Sequence, residues 1–243
     1  MKKALSILAV LATVLSVKAA DAEARSYSVT TDVTFASKYV WRGQVLASTS
    51  LQPSVEVAVQ DLYFGSWVNV PVRQGDISEE TDFYVGYGFT LAEGVTLDVG
   101  STLYYYPTKS AGAHLTAPDR HDTYESYVGV KGEFSGFTPS FYAYYDWALD
   151  NLALQASLGY SVAIEQLGTS LDFSGYYGYS NGGPGKHNTY TYAGAGVTLP
   201  YKLAENAVLS GSVQYAYVDS RDLGKTGGSR STWFYTISLT VGF

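Results

Sequence analysis

The sequence predicts an all-β protein: a single transmembrane antiparallel β-barrel of about 12 strands, with both termini in the periplasm. Three observations predict it. The chain ends in a strand with one apolar face, it begins with an export leader, and segments of alternating polarity fill the region between. No segment after the leader supplies the ~20 consecutive apolar residues that a membrane helix needs. A closed sheet is the other structure that can span a bilayer.

The leader is predicted over residues 1–22 and the barrel over residues 23–243. Met1–Lys3 is positively charged and Ala4–Val17 is apolar but too short for a comfortable bilayer span. Ala20–Ala22 then offers a small-x-small cleavage site, with Val17–Ala19 as the alternative. We therefore expect a cleaved signal peptide and export to the bacterial outer membrane of a Gram-negative cell.

The composition favours a membrane barrel over a soluble domain. Charged residues make up 15% of the chain, against about a quarter in a soluble protein. The absence of Cys excludes a disulfide framework and thiol chemistry. Cleavage would remove three of the 15 basic and one of the 22 acidic residues, leaving 12 and 21 and a net charge of −9. Nucleic acid is therefore not an expected partner, because phosphate binding needs a basic surface.

Twelve segments show the residue-by-residue alternation of a strand. They are Tyr27–Val40, Ser54–Val59, Leu62–Val70, Thr81–Leu91, Val95–Tyr106, Thr123–Phe134, Ser140–Trp147, Leu152–Ile164, Ser170–Tyr179, Thr189–Leu199, Val208–Val218 and Trp233–Phe243. Most have the ~9–11 residues that a tilted strand needs to cross a bilayer. Ser54–Val59 is short, so the strand count is uncertain by two.

One face of each segment is apolar and the other is small, polar or charged. In Leu152–Ile164, every second residue from Leu152 to Ile164 is apolar, while Gln155, Ser157 and Ser161 fall on the other face. A soluble barrel would reverse this pattern, with apolar residues inside and Lys and Glu outside. The pattern therefore indicates a polar lumen and an outer face in contact with outer-membrane lipids.

The final strand, Trp233–Phe243, carries a second signal. Its apolar face begins with Trp233 and ends with Phe243, so aromatic rings lie at both predicted membrane interfaces. A soluble sandwich strand can alternate in this way, but it rarely ends the chain on an aromatic residue. The pattern resembles the carboxy-terminal signal of bacterial outer-membrane barrels, which implies recognition by the barrel-assembly machinery.

Long and short connections mostly alternate, as expected when the long loops face outward. The exceptions are Ala148–Asn151, which is short for an outer loop, and Pro200–Ala207, which is long for a periplasmic turn. All seven prolines are predicted to lie in loops or at strand ends, where a missing N–H breaks no ladder.

Several stretches together resemble a known family. They are Ser37–Gly43, Pro53, Tyr63–Val70, Glu80–Tyr87, Asp98–Gly100, Tyr104–Pro107 and Tyr124–Tyr127. This series, over Val33–Val130, is similar to the TorF-type porins of Gram-negative outer membranes. The resemblance implies an outer-membrane location and a channel role, but no catalytic or binding residues. Family members more often carry an acidic residue where this chain has Lys38.

The sequence predicts no enzyme activity, no cofactor and no metal site. His114, His121 and His187 all lie in predicted loops, and the spacing around Asp119 and Asp122 matches no known metal site. An outer-membrane lipid enzyme would need a His beside a Ser on the outer face of a strand, and no predicted strand contains a His.

Strand phase predicts which charged side chains line the pore. The pore-lining candidates are Asp32, Lys38, Glu56, Asp82, Asp98, Glu125, Lys131, Glu133 and Asp172, with Arg42 and Asp146 as candidates for the rim or constriction. Seven of the nine pore-lining candidates are acidic, which raises the local concentration of cations in a water-filled pore. The alternative is a plugged wall in which these charges pair with each other and with inward tyrosines, since a narrow barrel can be filled by side chains.

The predicted function is passive diffusion of small hydrophilic solutes through a porin-like channel with a mild cation preference. The alternative is a non-conducting barrel that displays its outer loops to a partner. Arg42 is a candidate constriction residue, or else an ion-pair partner for the loop that follows it.

Overall fold

A computed structural model describes residues 27–72, 79–107, 122–181, 189–219 and 231–243. The predicted signal peptide, residues 1–22, lies outside these ranges. The strands are β1 (Tyr27–Ala36), β2 (Tyr39–Trp41), β3 (Gln44–Ala47), β4 (Ser50–Val59), β5 (Leu62–Pro71), β6 (Glu80–Ala92), β7 (Val95–Tyr105), β8 (Thr123–Gly132), β9 (Phe137–Asp146), β10 (Asn151–Ile164), β11 (Thr169–Ser180), β12 (Tyr190–Ala204), β13 (Ala207–Asp219) and β14 (Ser231–Gly242). A short 3₁₀ helix, Glu165–Leu167, joins β10 to β11. Within the described ranges, no helix has the length and apolar character to cross a bilayer.

Twelve of these strands form one closed antiparallel barrel, and β2 and β3 form a separate hairpin. Each barrel strand pairs with its neighbours along the chain, and β1 closes the barrel by pairing with both β4 and β14. The closing register runs from Thr30 opposite Gly242 to Ala36 opposite Thr236. The prediction of an all-β antiparallel barrel of about 12 strands is therefore confirmed.

The outer face of the barrel is apolar. In β6, Phe83, Val85, Phe89 and Leu91 are all exposed, with Leu91 58% exposed, and β10 exposes Leu158 and Val162 in the same way. These are the side chains that the alternation assigned to the outside. An exposed apolar face on every second residue is typical of barrels that lie in lipid.

Several strand boundaries differ from the sequence prediction. β4 begins at Ser50 rather than Ser54, and is therefore a full-length strand. β12 continues to Ala204, so the turn before β13 is short and the long turn predicted over Pro200–Ala207 is wrong. Both β4 and β12 therefore contain a proline, Pro53 and Pro200 respectively.

The prolines are tolerated because a ladder is interrupted or has ended beside them. Pro53 lies within β4, and the pairing of β4 with β5 skips from Leu51 to Ser54. Pro139 lies within β9, whose pairing with β8 ends at Ser140. The expectation that every proline lies in a loop or at a strand end is wrong at Pro53, Pro139 and Pro200. Each of the three pairs with one neighbouring strand and has no partner in the other, so on that side the missing N–H breaks no hydrogen bond.

The largest difference lies at the end of the first strand, which was predicted over Tyr27–Val40. β1 ends at Ala36, and the next residues form the β2–β3 hairpin. Its two-residue turn, Arg42–Gly43, has φ values of 46° and 78°. Positive φ at both central residues is the requirement of a type I′ hairpin turn.

Candidate functional site

The β2–β3 hairpin crosses the bore of the barrel. On one side, the Tyr39 hydroxyl donates to Glu80 Oε1 of β6 at 3.3 Å. On the other side, Gln44 Nε2 donates to the Tyr190 hydroxyl of β12 at 2.8 Å. β6 and β12 face each other in the ring of strands. The hairpin is therefore attached to opposite walls and narrows the lumen between them.

The turn of the hairpin lies directly against the wall. A Cβ atom on Gly43 would lie 2.7 Å from the Tyr217 carbonyl oxygen and 2.8 Å from Tyr192 Cβ. No side chain fits there without a shift of the backbone. Gly43 thus serves both the turn geometry and the close approach of the hairpin to β12 and β13.

Arg42 forms an ion pair with Glu125 of β8. Its Nη2 donates to Glu125 Oε1 at 2.9 Å, and its Nη1 lies 2.9 Å from Oε2. The side chains are 7% and 4% exposed. The guanidinium also lies 4.3 Å from the ring centre of Trp41 and 4.7 Å from that of Tyr144. Burial alone would lower the pKa of Arg42, but the charge of Glu125 and the hydrogen bond to it outweigh burial and raise it.

The root of the hairpin is fixed by Lys38, the residue before β2. Its Nζ donates to Thr232 Oγ1 and, at 3.1 Å, to the Trp233 carbonyl oxygen. Both acceptors lie on β14, next to β1 in the barrel. Lys38, Arg42 and Glu125 therefore belong to one structural unit, which fixes the hairpin at its root and at its turn.

A second charged group centres on Asp98 of β7. Its carboxylate accepts hydrogen bonds from the hydroxyls of Tyr63 at 2.7 Å and Tyr142 at 2.6 Å. Lys131 Nζ lies 3.1 Å from Asp98 Oδ2, and the Tyr127 hydroxyl lies 2.6 Å from that of Tyr63. Asp98 is 3% exposed, and this set of partners compensates the loss of its hydration.

Three further acidic candidates have neutral hydroxyl groups as partners. Asp32 accepts from Thr34 and Thr240 at 2.6 and 2.7 Å. Glu56 accepts from the Tyr84 hydroxyl at 3.1 Å. Asp172 has the same kind of environment, since Ser161 and Ser170 donate to it at 2.6 and 2.8 Å. Hydroxyl donors satisfy a carboxylate without cancelling its charge.

The remaining three candidates differ in position. Asp82 of β6 lies opposite Trp67 and Tyr104, and no described residue donates a hydrogen bond to its buried Oδ1 atom. Asp146 is 4% exposed and accepts hydrogen bonds from the backbone N–H groups of residues 148 and 149, at 2.9 and 2.8 Å. It therefore orders the turn after β9. Glu133 lies beyond the end of β8 and is exposed.

Glu80 is a lumenal acid that the sequence prediction missed. It was assigned to a loop, but it is the first residue of β6 and is 2% exposed. The hydroxyls of Tyr39 and Tyr106 each lie 3.3 Å from its Oε1. Continuing the alternation from Asp82 two residues toward the N-terminus would have placed Glu80 on the inner face.

Tyrosine rings cover glycines on the inner wall. In six directly opposed cross-strand pairs, a Cβ on the glycine would lie within 2.5 Å of the partner tyrosine. The pairs are Gly65–Tyr84, Gly86–Tyr63, Gly100–Tyr127, Gly129–Tyr142, Gly178–Tyr192 and Gly194–Tyr176. Each ring occupies the space that a side chain would otherwise fill, and packs against bare backbone.

A cavity of about 430 Å³ lies between the hairpin and the wall. Aromatic side chains that line it include Trp41 of the hairpin, Trp67 of β5 and Tyr176 of β11. Gln155 of β10 and Gln214 of β13 also line it, next to the Arg42–Glu125 pair. The cavity is therefore bounded by rings, amides, Lys38 and one neutralised ion pair.

The residues considered for catalysis and metal binding, His114, His121 and His187, lie outside the described ranges. Within those ranges, no three His, Cys, Asp or Glu side chains are arranged to hold a metal ion.

Solved structures with a similar fold are outer-membrane barrels. The KdgM porin aligns with a TM-score of 0.57 at 11% identity, covering 89% of this chain and 99% of that one. The NanC porin aligns with a TM-score of 0.55 at 13% identity, covering 87% and 98%. An outer membrane channel from Pseudomonas putida aligns with a TM-score of 0.56 at 11% identity, covering 93% and 100%. At these identities the likeness shows the fold alone.

No protein with a curated function matches the sequence. One family does match, over residues 19–236, and its description is a bacterial protein of unknown function, Gcw_chp. The match includes Val33–Val130, where the sequence resembles the TorF-type porins, and that resemblance stays a prediction. With nearly the whole chain matched, the protein belongs to the Gcw_chp family.

Proposed function

We propose that this protein is an outer-membrane channel for passive diffusion of small hydrophilic solutes, with a mild preference for cations. The observation that carries the proposal is the hairpin inside the bore, fixed to opposite walls by Tyr39 and Gln44. In a barrel of this size, a segment inside the lumen narrows the aqueous path and so limits which solutes can pass. The fold shared with two porins and an outer membrane channel supports the same reading.

The cation preference is supported by the partners of the lumenal charges. Asp98 and Glu125 are paired with Lys131 and Arg42. Within the part of the chain that the structure describes, only neutral hydroxyls donate hydrogen bonds to Asp32, Glu56 and Asp172, so these partners do not cancel the charges. An excess of fixed negative charge in a narrow aqueous path attracts cations and repels anions.

The proposed location is the bacterial outer membrane, and the apolar outer face and the sequence patterns at both ends of the chain support it. The exposed apolar side chains of β6 and β10 suit a lipid environment. Residues 1–22 would direct export and be cleaved, and Trp233–Phe243 would be recognised by the assembly machinery. The long connections would then face the outside of the cell.

Planar-bilayer recording on the purified, refolded protein tests the proposal. We expect stepwise currents and, in a KCl gradient, a reversal potential displaced toward the K⁺ equilibrium value. A stable insertion without current, verified by heat-modifiable migration on gels, would contradict the channel. It would support the alternative, a non-conducting barrel, which the contacts of the hairpin with β6, β8, β12 and β13 also favour.

A further inference from the structure

The cavity beside the hairpin has the features of a binding site for a solute. Its volume of about 430 Å³ falls within the usual range for small-ligand sites, roughly 300–1,000 Å³. Its lining comes from the hairpin and from strands on several sides of the ring, so it lies within the bore. A solute that crosses the barrel would therefore pass this surface.

Two of the three glutamines that line the cavity, Gln155 and Gln214, are arranged to accept hydrogen bonds. Gln155 Nε2 donates to Ser157 Oγ at 3.2 Å, and Gln214 Nε2 donates to Ser212 Oγ at 3.0 Å. These bonds orient both amides, and no described residue donates to either Oε1 atom. The site thus offers two oriented, uncharged acceptors, from β10 and β13, to the donors of a ligand.

The charges that line the cavity are already engaged. Arg42 and Glu125 neutralise each other, and with 7% and 4% of their side chains exposed they have little surface for an ionic ligand. Lys38 is bound to Thr232 and Trp233. A cation that entered would lose hydration without gaining an opposite charge, which is unfavourable. An anion would meet Lys38, whose ammonium group already donates to two acceptors of the wall.

Aromatic rings supply the remaining contact surface. Trp41, Trp67, Tyr144, Tyr176 and Phe234 line the cavity from both the hairpin and the wall. A ring-shaped solute with C–H groups on its faces and hydroxyls on its edge can pack on such rings while its hydroxyls donate to amides.

We propose that the cavity binds an uncharged saccharide of one or two rings. This inference deepens the proposed function, because it names the class of solute that the channel would take.

Tryptophan fluorescence in detergent tests binding independently of conduction. Trp147 and Trp233 are exposed on the outer face, whereas Trp41 and Trp67 line the cavity. In a W147F/W233F background, the emission therefore reports on the cavity. We expect a saturable change with glucose and with maltose. We expect a much weaker change with glucosamine and glucuronate, which add one positive and one negative charge to the same ring.

Two variants locate the site. Replacing both amides, Q155L/Q214L, is expected to weaken glucose binding about tenfold, because two hydrogen bonds are lost. The control is S161A, which lies on the inner face of the same strand β10 but hydrogen-bonds to Asp172 outside the cavity. It should bind glucose as the parent protein does. Heat-modifiable gel migration verifies that each variant has folded.

The outcomes separate this inference from the proposed function. Linear, non-saturable responses to all four sugars, or tighter binding of either charged sugar than of glucose, would overturn the saccharide site. If the protein conducts, but glucose and maltose neither change its currents nor give a saturable fluorescence change, the channel is supported and the saccharide site is rejected. Saturable sugar binding by a barrel that passes no current would support the saccharide site and contradict the channel. Equal loss of binding in S161A and Q155L/Q214L would also reject the assignment to this cavity.

Discussion

Arg42 and Glu125 form an ion pair across the bore, with both nitrogen–oxygen distances at 2.9 Å. Arg42 belongs to a hairpin rooted between β1 and β4, and Glu125 belongs to β8 on the far side of the barrel. Both side chains are nearly excluded from solvent. The pair therefore connects the inserted segment to the wall, and four properties of the barrel can be tested around this arrangement.

Removing Arg42 is expected to release the turn of the hairpin from the wall. An R42A change leaves Glu125 buried without its partner, which costs about 3–5 kcal/mol in comparable buried pairs. We expect larger and noisier single-channel currents because the hairpin becomes free to move. The double variant R42A/E125A should lose less stability than R42A, since no uncompensated charge remains. K202A, which removes an exposed positive charge from the end of β12, should leave the currents unchanged. Currents of parental size in R42A would show that the ion pair does not hold the constriction.

Neutralising lumenal carboxylates is expected to weaken the cation preference. The test compares D82N/D98N with E133Q and with all three changes together. Asp82 and Asp98 lie on the wall strands β6 and β7, and D98N also leaves Lys131 without its acid. We therefore expect most of the shift in reversal potential from the double variant. E133Q alone should have a small effect because Glu133 lies exposed beyond β8. A reversal potential that stays at the parental value in the triple variant would mean that these carboxylates do not line the conducting path.

A side chain at Gly178 is expected to destabilise the wall. A Cβ there would lie 2.2 Å from Tyr192 Cζ, and Tyr192 is fully buried. G178A should therefore cost about 1–3 kcal/mol, as overpacking does elsewhere. G175A on the same strand is the control, since its Cβ would meet nothing closer than a carbonyl oxygen at 3.7 Å. Urea unfolding followed by tryptophan fluorescence measures the difference. Equal stability of G178A and G175A would show that the ring over Gly178 is free to move aside.

A charge on the outer face is expected to disturb the barrel in lipid. Ile237 lies near the middle of β14 and is 51% exposed. If this face contacts the bilayer core, I237K should cost about 2–4 kcal/mol in phospholipid vesicles. The neighbouring Ser238 lies on the lumenal face, so S238K should lower the free energy of unfolding by less. The free energy of unfolding in vesicles is the measurement, and a larger loss in S238K than in I237K would reverse the assignment of the two faces.

Alternation was enough to predict the barrel because each strand has one lipid-type face and one lumenal face. It could not separate β1 from β2, since Tyr39 and Trp41 continue the period of two after Ala36. A strand that turns into the lumen has the same local pattern as one that continues along the wall. The positive φ of Arg42 before Gly43 distinguishes them, and this is a property of the folded hairpin.

Contacts between residues far apart in the chain also could not be predicted from the sequence alone. The alternation placed Glu125 in the lumen and treated Arg42 as a constriction residue or a partner of the following loop. The partner of Arg42 is instead Glu125, 83 positions along the chain, and this contact depends on barrel closure. The tyrosine–glycine pairs depend on register in the same way, because a shift of one residue would move every ring to the other face.

The position of the hairpin between two adjacent strands has a further consequence. Residues 37–49 connect β1 to β4, and β1 and β4 pair with each other along their full lengths. The ring of twelve strands therefore closes without a strand from the segment that lies in its centre. Exchange of this one contiguous stretch, by evolution or by design, could give the same barrel a different selectivity.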